Sequence, residues 1–207
     1  MSTPRTRRRD KLGPDATVRG EILTAASIIL QEQGIGKFSI GAVLERAALG
    51  TRAFYRHFES KDDLVAALFL EMARAEEQRL RRRMAAAETE IDAVAAWIDS
   101  RLDLAFDANK SDLRRLSLEA QSQSPALVAP AYAEMLKPLV DALQRGLRGG
   151  VFHRVDPMTD AQFIHGVVWA GINEQWATGE CHREDLRERM LRFCLRGLGV
   201  QEPTEGG

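Results

Sequence analysis

Apolar residues recur along this chain at intervals of three and four, the period of an amphipathic helix. Alternation of apolar and polar residues, which is typical of strands, extends over no long stretch of the sequence. The pattern therefore predicts an all-α protein. In chain order the predicted helices cover residues 17–33, 40–47, 51–58, 61–87, 91–108, 112–122, 125–147, 159–178 and 184–198.

Capping residues indicate where several of these helices begin and end. Gly34 follows the first helix as a C-cap, a position that favours glycine. Ser39 precedes the second helix as an N-cap, and Phe38 and Val43 have the spacing of a hydrophobic staple around it. Ser60 is placed to cap the long helix that follows. The first 60 residues therefore predict three short helices before a much longer one.

Composition indicates a globular protein without a membrane-spanning segment. Of the 207 residues, 44% are hydrophobic and 29% are charged. No apolar run approaches the roughly 18 residues that a membrane span needs, and the basic N-terminal segment is followed by no signal-peptide core. We therefore expect a cytoplasmic protein with no membrane partner. In that reducing setting Cys181 and Cys194 are interpreted as apolar packing residues.

The formal net charge of −1 conceals two blocks of opposite charge. Residues 1–61 hold 11 basic and 6 acidic side chains, an excess of +5. Residues 62–207 hold the remaining 18 basic and 24 acidic side chains, a net of −6. Such asymmetry indicates a segment that binds a polyanion, joined to a segment with another task.

The helix predicted over 51–58 carries two different faces. At about 100° per residue, Arg52, Tyr55 and Arg56 lie on one side and Phe54 and Phe58 on the other. Three short helices with a tight turn before the last one are the elements of a helix-turn-helix, whose second helix enters the major groove of DNA. A solvated amphipathic surface helix would show the same pattern, and composition alone does not separate the two interpretations.

The residue string itself favours the first interpretation. The segment 39–64 reads SIGAVLERAALGTRAFYRHFESKDDL, and its most specific part is Phe54-Tyr55-Arg56-His57-Phe58 followed by Lys61. Over about residues 17–70 the chain resembles TetR-type (tetracycline-repressor-like) transcriptional regulators. The resemblance implies a three-helix DNA-binding domain, a larger helical domain for ligand binding and dimerisation, and a homodimer that reads a palindromic operator in double-stranded DNA.

The resemblance also implies roles for individual residues. Thr51, Arg52 and Ala53 occupy positions that contact base edges in the family, whereas Tyr55, His57 and Lys61 occupy positions that contact the DNA backbone. Ala48 stands where the family commonly has glycine, so we expect a turn geometry that tolerates a Cβ atom. The DNA-binding candidates are Ser39, Thr51, Arg52, Ala53, Tyr55, Arg56, His57 and Lys61.

Four segments follow from these interpretations. Residues 1–15 form a basic flexible arm, which either follows DNA phosphates or is a solubilising tail. Residues 16–61 form the helix-turn-helix domain, and residues 62–200 form the effector-binding and dimerisation domain. Residues 201–207 are expected to be a disordered tail.

Effector-binding candidates come from the apolar stripes of the acidic block. Most such residues in any protein are plain core, but pockets in helical bundles also have apolar walls with a few polar groups. A pocket of this composition favours an apolar or aromatic small-molecule effector. The candidates are Met72, Trp97, Arg101, Leu104, Leu116, Glu119, Tyr132, Met135 and Trp169.

The last two helices are rich in apolar residues and are predicted to pair with their copies in a homodimer. The resemblance implies the same four-helix arrangement, whereas the alternative is that their stripes pack only within one subunit. The interface candidates are Phe163, Val167, Ile172, Trp176, Leu186, Met190 and Phe193.

No familiar catalytic motif occurs in the sequence. The segment 34–38 lacks the glycine spacing and the hydroxyl residue of a phosphate-binding loop, and neither GxSxG nor HExxH is present. His153, His165, Cys181 and His182 have no compact spacing for a metal. We therefore expect no catalytic residue, no metal and no cofactor. The competing hypothesis is an all-helical enzyme or interaction module whose basic N-terminus serves another acidic partner.

Overall fold

A computed structural model describes residues 15–107, 116, 118–120, 122 and 125–200. All regular structure in these ranges is helical, which confirms the all-α prediction. The predicted arm, the predicted tail and most of the helix predicted over 112–122 lie outside the described residues. The described helices are α1 (Ala16–Lys37), α2 (Ile40–Ala47), α3 (Thr51–Phe54), α4 (Lys61–Met84), α5 (Glu90–Phe106), α6 (Pro125–Arg148), α7 (Pro157–Thr178) and α8 (Arg183–Gly197).

The chain divides into two compact units, the first ending at Leu68 and the second beginning at Phe69. Helix α4 contributes residues to both units, since it begins at Lys61 and ends at Met84. The four segments expected from the sequence remain predictions, including the boundary at residue 61.

The first unit is held together by a small apolar core under helices α1 to α3. Ile22, Leu30, Val43 and Phe54 are almost fully buried in it. Burial of such side chains contributes about 25 cal/mol per Å² of apolar surface removed from water. Arg46 and Glu32 add an exposed ion pair of 3.1 Å between α2 and α1, which stabilises far less than the core does.

Caps fix the ends of the helices in this unit. The Ser39 hydroxyl accepts a hydrogen bond of 3.2 Å from the backbone N–H of Ala42, as predicted. The Ser60 hydroxyl accepts one of 3.0 Å from the N–H of Asp63, and the Asp63 carboxylate accepts another from the N–H of Glu59. These two hydrogen bonds set where α4 begins and are similar to a capping box, except that the Asp63 carboxylate bonds the residue before the Ser60 cap.

Helix α3 is shorter than the sequence predicted. Regular helix ends at Phe54, and residues 55–57 form a turn in which the N–H of His57 donates to the Phe54 carbonyl at 2.8 Å. The N–H of Phe58 also reaches that carbonyl, at 3.0 Å, so the turn keeps Phe58 on the core side, with its ring centroid 5.6 Å from that of Phe54. The predicted second helical turn is therefore replaced by a tighter one.

The turn between α2 and α3 has the left-handed geometry that usually selects glycine. Ala48 has φ 53° and ψ 38°, and its N–H donates to the carbonyl of Glu45. The expectation of a turn geometry suited to a Cβ atom is thus corrected. A left-handed alanine costs roughly 1–2 kcal/mol, and the hydrogen bonds around the turn offset that cost.

The second unit encloses a larger core formed by α5 to α8 and the second half of α4. Ile172, Trp176 and Met190 lie inside it, although the sequence placed them in a dimer interface. Helices α7 and α8 approach closely because Gly171 has no side chain, and a Cβ atom there would lie 2.1 Å from Cε of Met190. These three residues are therefore core positions of a single chain.

Candidate functional sites

One face of α3 and the turn after it is exposed, cationic and aromatic. Thr51, Arg52 and Arg56 are exposed, and the Tyr55 side chain is 61% accessible to solvent. Phe54 is fully buried on the opposite side. The predicted facing of this segment is confirmed. A short element anchored by a buried ring presents donors that can hydrogen-bond DNA bases and phosphates.

The turn that follows α3 adds further polar groups beside this face. Residues 55–60 and Asp63 line an open depression of about 530 Å³. His57 is half-buried, and its Nδ1 atom is buried without a hydrogen-bond partner. Nζ of Lys61 lies 5.9 Å from the centroid of the Phe38 ring. A buried polar atom without a partner in a protein costs about 1–3 kcal/mol, so the His57 ring is held here at some cost in stability.

The other two candidates on this side of the unit have different surroundings. Ser39 is exposed, and its hydroxyl is engaged in capping α2. Ala53 is half-buried, and its N–H donates to the Gly50 carbonyl at 2.9 Å. Gly50 is the N-cap of α3 and provides no side-chain cap.

In the second unit, three predicted effector residues converge on the imidazole of His165. Its ring centroid lies 5.5 Å from that of Tyr132, 6.2 Å from that of Trp169 and 6.3 Å from that of Trp97. These rings come from three different helices, α5, α6 and α7. We call His165 with these three rings the aromatic cluster. Trp176 extends it, because its ring meets that of Trp169 edge-on at 5.4 Å.

A buried ion pair lies beside the aromatic cluster. Arg101 is only 8% exposed, and its guanidinium donates through Nη2 to the Glu76 carboxylate. Nη1 is 3.7 Å from the sulfur of Met135, and the guanidinium carbon lies 5.9 Å from the centroid of Trp97. The sequence suggested Arg101 and Glu119 as polar groups of an effector pocket. The partner that the structure brings to Arg101 is Glu76.

Burial controls the ionisation of both basic groups here. Together with the smaller effect of the nearby Arg101 charge, burial lowers the pKa of His165 from 6.5 to about 4. Burial also lowers the pKa of Arg101 to about 10, against the opposing effect of Asp103. Near neutral pH the imidazole is therefore uncharged and the guanidinium is charged.

Sequence reasoning placed several of these residues in the right region but missed two. His165 was considered only as a metal ligand, although it lies four residues before Trp169 and so shares its helix face. Glu76 was not singled out at all. The remaining effector candidates belong to the interior but not to these contacts, since Met72, Leu104 and Glu119 are half-buried and Leu116 is buried.

Two large apolar side chains of the last helices face solvent. Phe163 on α7 and Phe193 on α8 are each 65% exposed. Val167 and Leu186 are half-buried and pack against the core. Phe163 and Phe193 are the two most exposed of the large hydrophobic side chains in the described residues.

The described ranges contain neither a membrane-spanning helix nor a cluster of metal-ligating side chains. No helix there is both long and apolar enough to cross a membrane. Within the same ranges no three His, Cys, Asp or Glu side chains are grouped as a metal would require.

The exposed face of α3, the tight turn before it and the core beneath it define a helix-turn-helix protein of the DNA-binding class. The family model described as "Bacterial regulatory proteins, tetR family" matches residues 22–68. An uncharacterized HTH-type transcriptional regulator of Haemophilus influenzae is 29% identical over 199 residues, which cover 93% of this chain and 95% of that protein. Residues 22–68 are therefore similar to the DNA-binding domain of TetR-family regulators, and the chain as a whole is similar to an HTH-type transcriptional regulator.

Solved structures with the same fold span most of this chain. The transcriptional regulator FadR of Bacillus subtilis, in complex with stearoyl-CoA, has a TM-score of 0.67 at 19% identity, covering 86% of this chain and 98% of its own. RolR in complex with resorcinol has a TM-score of 0.68 at 21% identity, covering 89% of each chain. SmeT, the repressor of a Stenotrophomonas maltophilia multidrug efflux pump, has a TM-score of 0.63 at 22% identity, covering 90% and 94%. At these identities the likeness shows the fold alone.

Proposed function

We propose that this transcriptional regulator is a homodimeric repressor that binds a palindromic operator and is released from it by a small apolar or aromatic effector. The observation that carries the DNA-binding part is the exposed face of Arg52, Tyr55 and Arg56 opposite the buried ring of Phe54. A rigid core under an exposed cationic face is what a recognition element needs, because base readout depends on fixed side-chain positions.

Within this proposal the residues of the face have separate tasks. Thr51, Arg52 and Ala53 contact base edges, and Arg52 is the residue that can bind guanine through two hydrogen bonds. Tyr55, His57 and Lys61 contact the DNA backbone. Ser39 and Arg56 contribute to the same surface. The excess of five positive charges over residues 1–61 attracts DNA irrespective of sequence.

The dimer part of the proposal rests on the exposed phenylalanines. Phe163 and Phe193 lie on α7 and α8, and a second copy of the chain covers them. Two recognition elements then reach half-sites one DNA turn apart, a spacing of about 34–36 Å. Val167 and Leu186 contribute to the interface through the parts of their side chains that remain accessible.

The effector part rests on the aromatic cluster and its buried ion pair. Glu76 lies on α4, the helix that begins at Lys61, so a ligand that changes the Glu76–Arg101 contact acts on a helix that starts beside the DNA-binding face. The RolR structure with resorcinol and the FadR structure with stearoyl-CoA support a ligand site on this fold. A ligand can affect DNA binding through α4 only if it binds more tightly when this helix is in one position than when it is in another.

The proposal assigns the protein to the cytoplasm and gives it no catalytic step. Its alternative is an all-helical enzyme or interaction module whose basic N-terminus serves a different acidic partner. The exposed face of α3 favours the regulator, because a patch that served only as a general polyanion site would not need Thr51 and Tyr55 beside its arginines.

A gel-shift titration separates the two functions. The purified full chain is titrated against the DNA upstream of its own coding sequence and against a random duplex of equal length and composition, at moderate salt. We expect binding to the upstream DNA at least about a thousandfold tighter than to the random duplex. Equal affinity for both duplexes would overturn the regulator proposal and favour the alternative.

A further inference from the structure

Polar atoms without partners lie next to the aromatic cluster. Among the described residues, the indole Nε1 of Trp169 and the side-chain Oδ1 of Asn173 are both buried with no hydrogen-bond partner. The two residues are four apart on α7, so their side chains leave the same face of that helix. One atom is a donor and the other an acceptor. Leaving both unsatisfied is costly, which points to a ligand that completes them.

A third buried atom without a partner lies on Arg101. Its guanidinium donates through Nη2 to the Glu76 carboxylate, which also accepts two hydrogen bonds, of 2.7 and 2.8 Å, from the partly exposed Arg79, but its Nε has no partner. His165 adds no positive charge, because its pKa is lowered to about 4. The unpartnered atoms are therefore donors on Trp169 and Arg101 and an acceptor on Asn173. A hydroxyl group can satisfy a donor and the acceptor together, whereas a carboxylate has no hydrogen to donate to Asn173.

The rings around these atoms set the shape of that ligand. His165 and Trp169 present their rings at an angle of 31° to each other, and Trp176 meets Trp169 edge-on. Flat aromatic groups stack on or against such rings with a favourable energy beyond simple burial. A flexible acyl chain would bury apolar surface in the same place but would not gain the additional stacking energy between rings.

We infer that Trp169 and Asn173 together bind the hydroxyl group of a small, neutral aromatic ligand. A hydroxyl oxygen accepts the hydrogen bond from the Trp169 indole, and the hydroxyl hydrogen is donated to Oδ1 of Asn173. This inference rests on the proposed function, because it names the chemical class of the effector.

The experiment measures the binding of three probes of similar size to the full-length protein by calorimetry. Phenol carries the hydroxyl, toluene replaces it with a methyl group, and benzoate replaces it with a charge. We expect phenol to bind about fivefold or more tighter than either of the others, since each hydrogen bond contributes modestly. Toluene binding as tightly as phenol, benzoate binding more tightly, or none of the three binding would overturn the inference.

Variants then test the two named residues. Trp169→Phe keeps an aromatic ring and removes the N–H, so it should weaken phenol about fivefold and leave toluene unchanged. Tyr55→Phe is the matched control, because it removes one hydrogen-bonding group from an exposed aromatic side chain outside the aromatic cluster. Its phenol-to-toluene ratio should stay at the wild-type value. An equal loss of that ratio in both variants would contradict the assignment.

A second variant keeps the test decisive if Trp169→Phe does not fold. Asn173→Leu has nearly the same volume and lacks the acceptor, so it should also reduce the preference for phenol over toluene. The thermal melting curve of each variant checks that it is folded. An Asn173→Leu protein that is folded and still prefers phenol as the wild type does would overturn the inference.

The gel shift distinguishes this inference from the proposed function. If the chain prefers its upstream DNA and a compound of another class releases it while phenol does not bind, the ligand class is wrong and the regulator proposal stands. If the chain shows no preference for its upstream DNA, the proposed function itself fails, whatever the calorimetry shows.

Discussion

The carboxylate of Glu76 on α4 accepts a hydrogen bond from the buried guanidinium of Arg101 on α5. This pair connects the second half of the helix that begins at Lys61 with the aromatic cluster. Buried ion pairs are balanced arrangements, since each charge is costly in the interior without the other. The pair therefore stabilises the packing of α4 against α5. It is also the contact through which we propose that a ligand acts on α4.

Replacing Glu76 with glutamine leaves the Arg101 charge without its buried partner. We expect Glu76→Gln to lower the free energy of unfolding by on the order of 3 kcal/mol, which urea denaturation measures. Glu71→Gln on the same helix is the control, because its 3.1 Å pair with Arg74 is exposed and contributes less than about 1 kcal/mol. Equal effects of the two substitutions would show that the buried pair has no special role.

The buried imidazole of His165 predicts a pH dependence of stability. Its pKa in the folded protein is about 4, below the ordinary 6.5. Between pH 4 and pH 6.5, therefore, His165 is mostly protonated in the unfolded chain and mostly neutral in the folded protein. Stability is therefore full above about pH 6.5 and falls as the pH drops towards 4, by roughly 2–3 kcal/mol at pH 4.5.

Comparison with a variant isolates this term from the other titrating groups. The difference in unfolding free energy between wild type and His165→Gln should shift by that amount between pH 7 and pH 4.5, in the direction that disfavours the wild type at low pH. His182→Gln, which alters an exposed side chain, serves as the control. A difference that does not change with pH would contradict the burial of a neutral imidazole.

The left-handed turn at Ala48 predicts a stabilising substitution. Ala48→Gly removes the strain of a positive φ, of roughly 1–2 kcal/mol, and adds about 0.5–1 kcal/mol of backbone entropy loss. The net expectation is a gain of about 0.5–1 kcal/mol in thermal or chemical unfolding. Ala47→Gly, at the last residue of α2, should instead destabilise the protein by up to about 1 kcal/mol. Destabilisation by both substitutions would argue against the left-handed turn.

The exposed phenylalanines predict the oligomeric state. Wild type should sediment at twice the chain mass of 23.1 kDa, and the double variant Phe163→Glu/Phe193→Glu should sediment as a single chain. Charges at the centre of an apolar interface are strongly unfavourable, because they lose water without gaining a partner. Leu147→Glu, at a partly exposed position on α6, should leave the dimer intact. A double variant that remains dimeric would place the interface elsewhere.

The sequence was enough to predict features that depend only on residues close together in the chain, such as helix faces and helix caps. The spacing of Arg52, Tyr55 and Phe54 is a property of one short segment, so the exposed and buried sides followed from the angle per residue. The caps at Ser39 and Ser60 depend on atoms three residues away and were equally accessible to sequence reasoning.

What depends on contacts between distant helices could not be predicted in the same way. Arg101 finds Glu76 across 25 residues, and His165 meets Tyr132 across 33, so both contacts follow from how helices pack and not from a local pattern. The choice between core and surface on α7 is similar. Ile172 and Phe163 are both apolar, and the packing of α5, α6 and α8 against α7 decides that the first is buried and the second exposed.

The most direct test of the DNA-reading face compares two substitutions on two duplexes. Anisotropy titrations with upstream and random DNA give a specificity ratio for wild type, Arg52→Ala and Lys61→Ala. We predict that Arg52→Ala loses about 1–3 kcal/mol on upstream DNA only, whereas Lys61→Ala weakens both duplexes equally and flattens the salt dependence. If Arg52→Ala has the same specificity ratio as the wild type, the assignment of α3 as the element that reads the DNA sequence is contradicted.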